Sequence, residues 1–301
     1  MAIQESLPIL LIGYIRADLV SERLNEIAQL PKTRVYIYID VDSAGRHFPV
    51  VATVKNFIKE NSLHQIKLIL RDSNYGLTLN ITSAVTEVLM LERSVLVVED
   101  DIVVSRAFYE SMINGLAILD QTSKIGIVGG FSPLRQSDVF KRNYWRKTKN
   151  FSVWGWVATQ EVWKNYTYVL QGINLKNELE KSCAWNSLGR FKKSVWLSRF
   201  EKSSLNPLNT WDIQMQYCSL VNNYENLLPL FRITDNLGFD DSRAVHTKGK
   251  LPRWHKLSSR EDYRVPRNLA PGLVSKIMNC LDGFTYLGDS KAIHYWNSKR
   301  K

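Results

Sequence analysis

The amino-acid sequence predicts an α/β fold, a mostly parallel sheet flanked by helices, followed by a second half of different character. Three observations carry this expectation. Short unbroken apolar runs recur through the first 130 residues, apolar positions return at helical spacing between them, and polar residues collect just past the end of each run. The chain has 301 residues and is 45% hydrophobic, enough for a sizeable core in one large domain or two closely joined halves.

The run "LPILLIGY" (7–14) has the pattern of a strand buried on both faces. Asp18 is placed to cap the next helix, whose inner face carries Val20, Leu24 and Ile27. "RVYIYID" (34–40) is a second strand, and Val51, Val54, Phe57 and Ile58 then recur at helical spacing. "IKLIL" (66–70) is a third, followed by a helix through Leu77, Ile81, Val85, Val88 and Leu89. "VLVV" (95–98) is the fourth, and "KIGIVGG" (124–130) another. Such alternation, joined by right-handed crossovers, builds a parallel sheet covered by helices. Ligands of these sheets bind beyond the carboxyl ends of the strands. Arg16, Asp40, Asn74 and the triplet Glu99, Asp100 and Asp101 all fall at or past such ends, so four strands deliver polar groups to one rim.

The alternation stops near residue 131. The expected organisation is a first half over 1–130, a second over 131–250 and a basic tail over 251–301 that holds Trp254 and Trp296. The stretch 143–163 is rich in Trp and Tyr, and 174–206 is polar and basic and is expected to include loops or a mobile segment.

Forty basic against 29 acidic residues give a net charge of +11, which favours an anionic partner: nucleic acid, an acidic lipid surface or a phosphorylated small molecule. Aromatic platforms in a basic groove bind single strands, and a nucleic-acid-binding protein is the rival class. The basic residues are spread through loops and tail, however, and no helix-turn-helix, zinc or RNA-recognition pattern is present, so no nucleic-acid partner is expected. Three cysteines without CxxC spacing suit a reduced, cytoplasmic compartment and argue against zinc. The first residues lack the basic start of a signal peptide, and no apolar run reaches membrane-spanning length. The tail segments "LPRWHK" (251–256) and "NSKRK" (297–301) place Lys and Arg near Trp. That composition suits either a peripheral contact with an anionic membrane surface or a plain soluble tail.

"VLVVEDDIVVS" (95–105) sets three carboxylates between apolar flanks. An isolated carboxylate taken from water costs several kcal/mol, and like charges alongside add to it, so a cation is expected there. A solvated turn is the plain reading, and the apolar flanks speak against it. A phosphoacceptor site of the receiver type requires its acidic pair on the first strand. Here three strands precede the triplet, and 142–152 holds no Asp. The third reading is a site for Mg²⁺ or Mn²⁺ shared with a nucleotide diphosphate, whose phosphates complete the metal shell.

Seven segments in order add weight: "PILLIGYIRADL" (8–19), "YIYIDVD" (36–42), "RDSNYGLTLNI" (71–81), "VVEDDIVVS" (97–105), "FSVWGWVATQEVW" (151–163), "TWDIQMQY" (210–217) and "NLGFDDSRAVHT" (236–247). On them the chain resembles GT-A glycosyltransferases, in particular a bacterial group similar to the N-acetylglucosaminyltransferase family that starts complex N-glycan branches. The resemblance implies a Rossmann-like sheet with an acceptor-binding second half. It also implies a metal-dependent inverting transfer from a nucleotide diphosphate sugar, of the UDP and GlcNAc kind, to a hydroxyl of a saccharide or lipid-linked saccharide. Bacterial surface polysaccharide or glycoconjugate synthesis would be the setting. Residue by residue, it implies that Arg16 and Asp40 flank the nucleoside and that Arg71 and Asn74 lie where the chain passes the donor. Asp101 would hold Mn²⁺ or Mg²⁺, while Glu99 and Asp100 contact sugar and ribose hydroxyls. Trp156 would form the wall under the sugar, Asp212 would be the catalytic base with Trp211 beside it, and His246 would sit in the segment that closes over the diphosphate.

Each residue also has a plainer role. Asp40 would cap the next helix, and either Asp40 or Asp42 could face the base. Trp154 and Trp156 would be core aromatics, and Asp212 a favourable charge at a helix N-terminus. Asp240 and Asp241 would be surface charges, and His246 a loop histidine. A fold that binds sugar nucleotides without catalysis is the remaining alternative, against which the intact Asp101 and Asp212 argue.

Overall fold

The computed structural model describes residues 6–121, 125–136, 142–239, 241–243, 257–258 and 263–287. Asp240, His246, Trp254 and Trp296, singled out above, lie outside the described residues. The chain builds β1 (Ile9–Gly13), α1 (Ala17–Ala28), β2 (Arg34–Ile39), α2 (Phe48–Glu60), β3 (Gln65–Leu70), α3 (Gly76–Leu89), β4 (Ser94–Glu99), α4 (Arg106–Asp120) and β5 (Ile125–Gly129). It continues through β6 (Trp145–Thr148), β7 (Trp156–Thr159), α5 (Gln160–Trp163), α6 (Leu175–Glu180), α7 (Cys183–Asn186), α8 (Arg190–Leu205), a 3₁₀ turn (Pro207–Asn209), α9 (Asp212–Val221), β8 (Glu225–Pro229) and α10 (Gly272–Leu287).

Eight strands form one sheet in the order β3-β2-β1-β4-β7-β5-β8-β6. β1 pairs in parallel with β2 and β4, β2 with β3, and β5 with β8. β7 runs antiparallel between β4 and β5, and β6 antiparallel at the edge beside β8. The predicted α/β class and its mostly parallel sheet are therefore present. The sheet takes strands from both sides of residue 131, because β7 is inserted next to β4.

The apolar runs are continuous because the sheet is covered twice. Ile9 and Leu11 face one layer with Val20, Leu24 and Ile27 of α1, Val54 of α2 and Phe108 and Met112 of α4. Leu10 and Ile12 face the other with Ile81, Val85 and Val88 of α3, and with Trp156, Trp163, Trp211 and Met215. Asp18 does not cap α1: it stands inside the first turn, and Arg16 occupies the cap position without capping the helix through its side chain.

The stretch 174–206, expected to include loops or a mobile segment, is largely helical, with short connections between α6, α7 and α8. Asn174 and Ser182 cap α6 and α7 through their side chains. A third core forms from Leu175, Leu179, Trp185, Val195, Trp196 and Phe200, closed by Tyr217 and Leu220 of α9. α8 intersperses its apolar side chains with basic ones, so its amphipathic signal is weak; packing on α9 supplies what local pattern does not.

The segment after β8 is tied inward. Val103 donates to the carbonyl of Asp235 (3.0 Å), Leu237 donates to that of Asp101 (2.8 Å), and Ile102 bridges Asn236. The Asp235 carboxylate, 2% exposed, meets Arg232 (3.0 Å) and accepts from Ser258 N (2.8 Å) and Tyr263 Oη (2.7 Å). Residues 268–270 then run beside β6, with Trp145 N and O bonded to Asn268 O and Ala270 N. Among the described residues no helix is long and apolar enough to cross a membrane.

Gly130 closes β5 where its N–H reaches Gly155 O (2.8 Å), and a Cβ there would lie 2.3 Å from Cε2 of the buried Phe108. Gly130→Ala should therefore overpack this point and cost about 1–3 kcal/mol, read as a lower denaturation midpoint at an unchanged slope.

Candidate active site

A cavity of about 530 Å³ opens at the carboxyl ends of β1, β2 and β4. Its walls include Tyr14 and Arg16 after β1, Asp40 after β2, Asn74 and Asn80 around the start of α3, and the triplet Glu99, Asp100 and Asp101. The other side is built by Trp154, Thr210, Trp211, Asp212, Asn236 and Arg243.

The cation expected beside the triplet is Arg16. Its guanidinium pairs with Asp100 through Nη2 and through Nε (3.2 Å), and Nη2 also reaches Asp101 Oδ2 (2.9 Å). Burial works against this charge, but Asp100 and Asp101 outweigh it and hold the arginine pKa above its ordinary value. Beneath the turn lies a second support. Arg23 is wholly buried, pairs with Glu26 (2.7 Å) and donates to Asp100 O (3.4 Å), while Glu26 accepts from Val104 N (2.8 Å). α1 thus grips the turn from both ends.

One guanidinium does not neutralise three carboxylates. Burial, then the charges of Asp101 and Asp100, raise Glu99 to about 8. Burial, then Asp101, raise Asp100 to about 7 despite Arg16. Gly238 lets the strap over β4 approach this charge: a Cβ there would stand 2.3 Å from Asp101 Oδ2. Asn236 Oδ1 accepts from Gly238 N (2.7 Å) and fixes that close approach. Arg243 crosses the mouth from the strap to α1, pairing with Asp18 (2.7 Å) and Asp241 (2.9 Å). Hydrogen bonding by Arg243 holds Asp18 down at about 2.

Of the two acids after β2, Asp40 is the one in the cavity wall. Its carboxylate accepts from the N–H groups of Val41, Tyr75 and Gly76, each at 2.9 Å, so it joins the end of β2 to the start of α3. It does cap a helix, but α3, not the helix that follows it. Asp42 instead binds Arg46 (2.6 Å) and Tyr14 Oη (3.0 Å), outside the lining. Asn74 lines the cavity and donates to Val41 O (2.7 Å). Asp212 opens α9, accepts a hydrogen bond from Thr210 Oγ1, and lies near enough to Glu99 to add to the rise in its pKa.

Two residues given site roles are placed elsewhere. Arg71 is buried against α3, bonded to Asn80 (3.0 Å), Ser83 (2.6 Å) and Glu87 (2.7 Å), and lies over the rings of Tyr38 and Tyr75, so its charge is consumed inside the fold. Trp156 is 1% exposed and stacks behind Trp211 with ring centres 5.0 Å apart; Trp211 and Trp154 form the wall instead. Arg243, Asn236, Asn80 and Thr210 were not singled out from sequence. All four lie inside segments quoted above, Asn80 in "RDSNYGLTLNI", Thr210 in "TWDIQMQY" and Asn236 and Arg243 in "NLGFDDSRAVHT".

Among the described residues no group of three or more His, Cys, Asp or Glu is arranged to hold a metal ion. The wall still fits a hard divalent cation shared with a ligand. Its donors there are oxygens, three adjacent carboxylates share the single Arg16 guanidinium, and Mg²⁺-like ions commonly take one or two carboxylates plus phosphate.

No protein-family model matches the chain, and no curated protein matches it. Among solved structures it is similar to a mannosyltransferase from Pyrobaculum calidifontis in complex with GDP-Man and Mn²⁺. The two are 12% identical, the match covers 72% of this chain and 86% of that one, and the TM-score is 0.40. The cavity and the sheet define an α/β protein with a carboxylate-rich site at the strand ends.

Two outcomes follow from the supports of the turn. Arg23→Met would remove the buried cation that Glu26 faces and should cost about 3–5 kcal/mol in denaturant titrations. Because Glu99 and Asp100 are shifted upward, their stabilisation is full below the ordinary carboxylate range and is lost as pH rises towards about 7 to 8. The melting temperature should fall across that window, and fall less in Glu99→Gln.

Proposed function

We propose that the chain is a metal-dependent inverting glycosyltransferase that moves a sugar from a nucleotide diphosphate donor to a hydroxyl acceptor. The observation that carries this is the charge of the cavity. Asp40, Glu99, Asp100, Asp101 and Asp212 face Arg16 and Arg243, and both arginines are already paired with carboxylates. A diphosphate enters such a wall only with a cation of its own. Mn²⁺ or Mg²⁺ held at Asp101 would supply that charge and stabilise the leaving diphosphate.

The chain's own residues divide the remaining work. Arg16, Asp40 and Asn74 surround the nucleoside. Glu99 and Asp100 accept hydrogen bonds from sugar and ribose hydroxyls, with Trp154 and Trp211 as the apolar wall. Asp212, across the cavity on α9, takes the acceptor proton as the hydroxyl attacks the anomeric carbon from the side opposite the diphosphate, so the configuration inverts. A carboxylate can serve as the base because the hydroxyl becomes acidic only as the new bond forms. The donor is read as a UDP-sugar of the GlcNAc type and the acceptor as a saccharide, free or lipid-linked, at or near the inner face of a membrane.

A panel of UDP- and GDP-sugars, assayed for Mn²⁺-dependent hydrolysis and transfer, tests the reading. EDTA should abolish turnover and Mn²⁺ or Mg²⁺ restore it; full activity in EDTA would remove the metal. Asp212→Asn should lower turnover by about 10²–10⁴-fold while donor affinity changes little, the pattern of an interaction needed only in the transition state. Near-normal transfer by that variant, in a protein that melts like the parent, would leave Asp212 as a helix-terminal charge and nothing more.

A further inference from the structure

α10 covers the β6 edge of the sheet with one face and leaves the other uncovered. On the covered face Met278 is buried, and the Asn279 side chain bonds Arg146 (2.8 Å) and Lys147 O (2.9 Å) of β6. The backbone carbonyl of Asn279 accepts from Lys192 of α8 (3.2 Å). On the opposite face Leu273 is 71% exposed, Ile277 54% and Val274 37%, and Leu269 just before the helix is 43% exposed. Spacings of three and four residues join Leu273, Val274 and Ile277 into one ridge. Arg267 and Lys276, both exposed, adjoin it in the chain, and among the described residues neither has an acidic partner.

We propose that this face of α10 docks on an anionic lipid surface, with the ridge entering among the headgroups and Arg267 and Lys276 meeting lipid phosphates. A helix with an apolar stripe bordered by Lys and Arg lies in the membrane interface in this way. Charge selects the occupant. The chain carries a net +11, and the sequence following α10, 288–301, adds Lys291, Lys299, Arg300 and Lys301 against Asp289 alone. A second copy docked about a two-fold axis would bring like charges together, whereas an anionic surface pairs with them. The inference stands apart from the transferase reading, since vesicle binding needs neither donor nor metal.

The test is sedimentation of the full chain with vesicles of phosphatidylcholine, with and without phosphatidylglycerol. The parent should bind the anionic vesicles and release as salt rises. Leu273→Glu with Ile277→Glu should weaken binding by about tenfold or more, and Arg267→Glu with Lys276→Glu by about tenfold. Each should melt like the parent and keep its nucleotide affinity. No binding by the parent, equal binding to neutral vesicles, or parent-like binding by both variants would overturn the proposal. So would a parent dimer, seen by light scattering, that Leu273→Glu with Ile277→Glu dissolves, because a second copy would then be the occupant.

Discussion

The contact of Arg16 with Asp100 and Asp101 is the constraint on which the site is built. A buried strand that ends in three consecutive carboxylates is unstable alone, since each charge removed from water costs several kcal/mol without a partner. α1 supplies both remedies. Arg16 at its N-terminal cap meets the carboxylates from the cavity side, and Arg23 two turns later holds the backbone from below through Asp100 O and Glu26. The short connection from β1 to α1 is thus fixed by electrostatics, and with it the position of every group on the β1–β4 side of the cavity.

The opposite wall depends on a change of strand direction. β7 inserts antiparallel between β4 and β5, so its start lies beside the end of β4. The residues that precede β7 therefore arrive at the acidic rim, and Trp154 enters the wall. Trp156, the first residue of β7, points into the core and gives Trp211 a stacking surface, which seats the start of α9 and hence Asp212.

Legibility followed range. β1 to β4 and their helices were readable because a strand buried on both faces leaves a continuous apolar run and a covering helix leaves its own spacing. Arg16, Asp40, Asn74, Glu99, Asp100 and Asp101 came with them, as residues at strand ends. The partner of the acidic turn was not readable, because Arg16 and Asp100 are 84 positions apart and nothing local pairs them. Arg71 misled for the same reason: its place after β3 fits the rim, but Asn80, Ser83 and Glu87 of α3 draw it inward. α8 was missed since its apolar residues, interspersed with basic ones, acquire meaning only against Tyr217 and Leu220.

Asp235 joins two parts of the chain that sequence alone separates. Its carbonyl accepts from Val103 beside the acidic turn, and its carboxylate holds Ser258 and Tyr263 of the basic C-terminal stretch. That stretch is consequently masonry for the cavity wall as well as a carrier of charge. A shortened version ending before residue 257 would uncover a buried Arg232–Asp235 pair and loosen the strap that carries Asn236 and Gly238. Deletion cloning aimed at the tail would therefore disturb the cavity before it revealed anything about the tail.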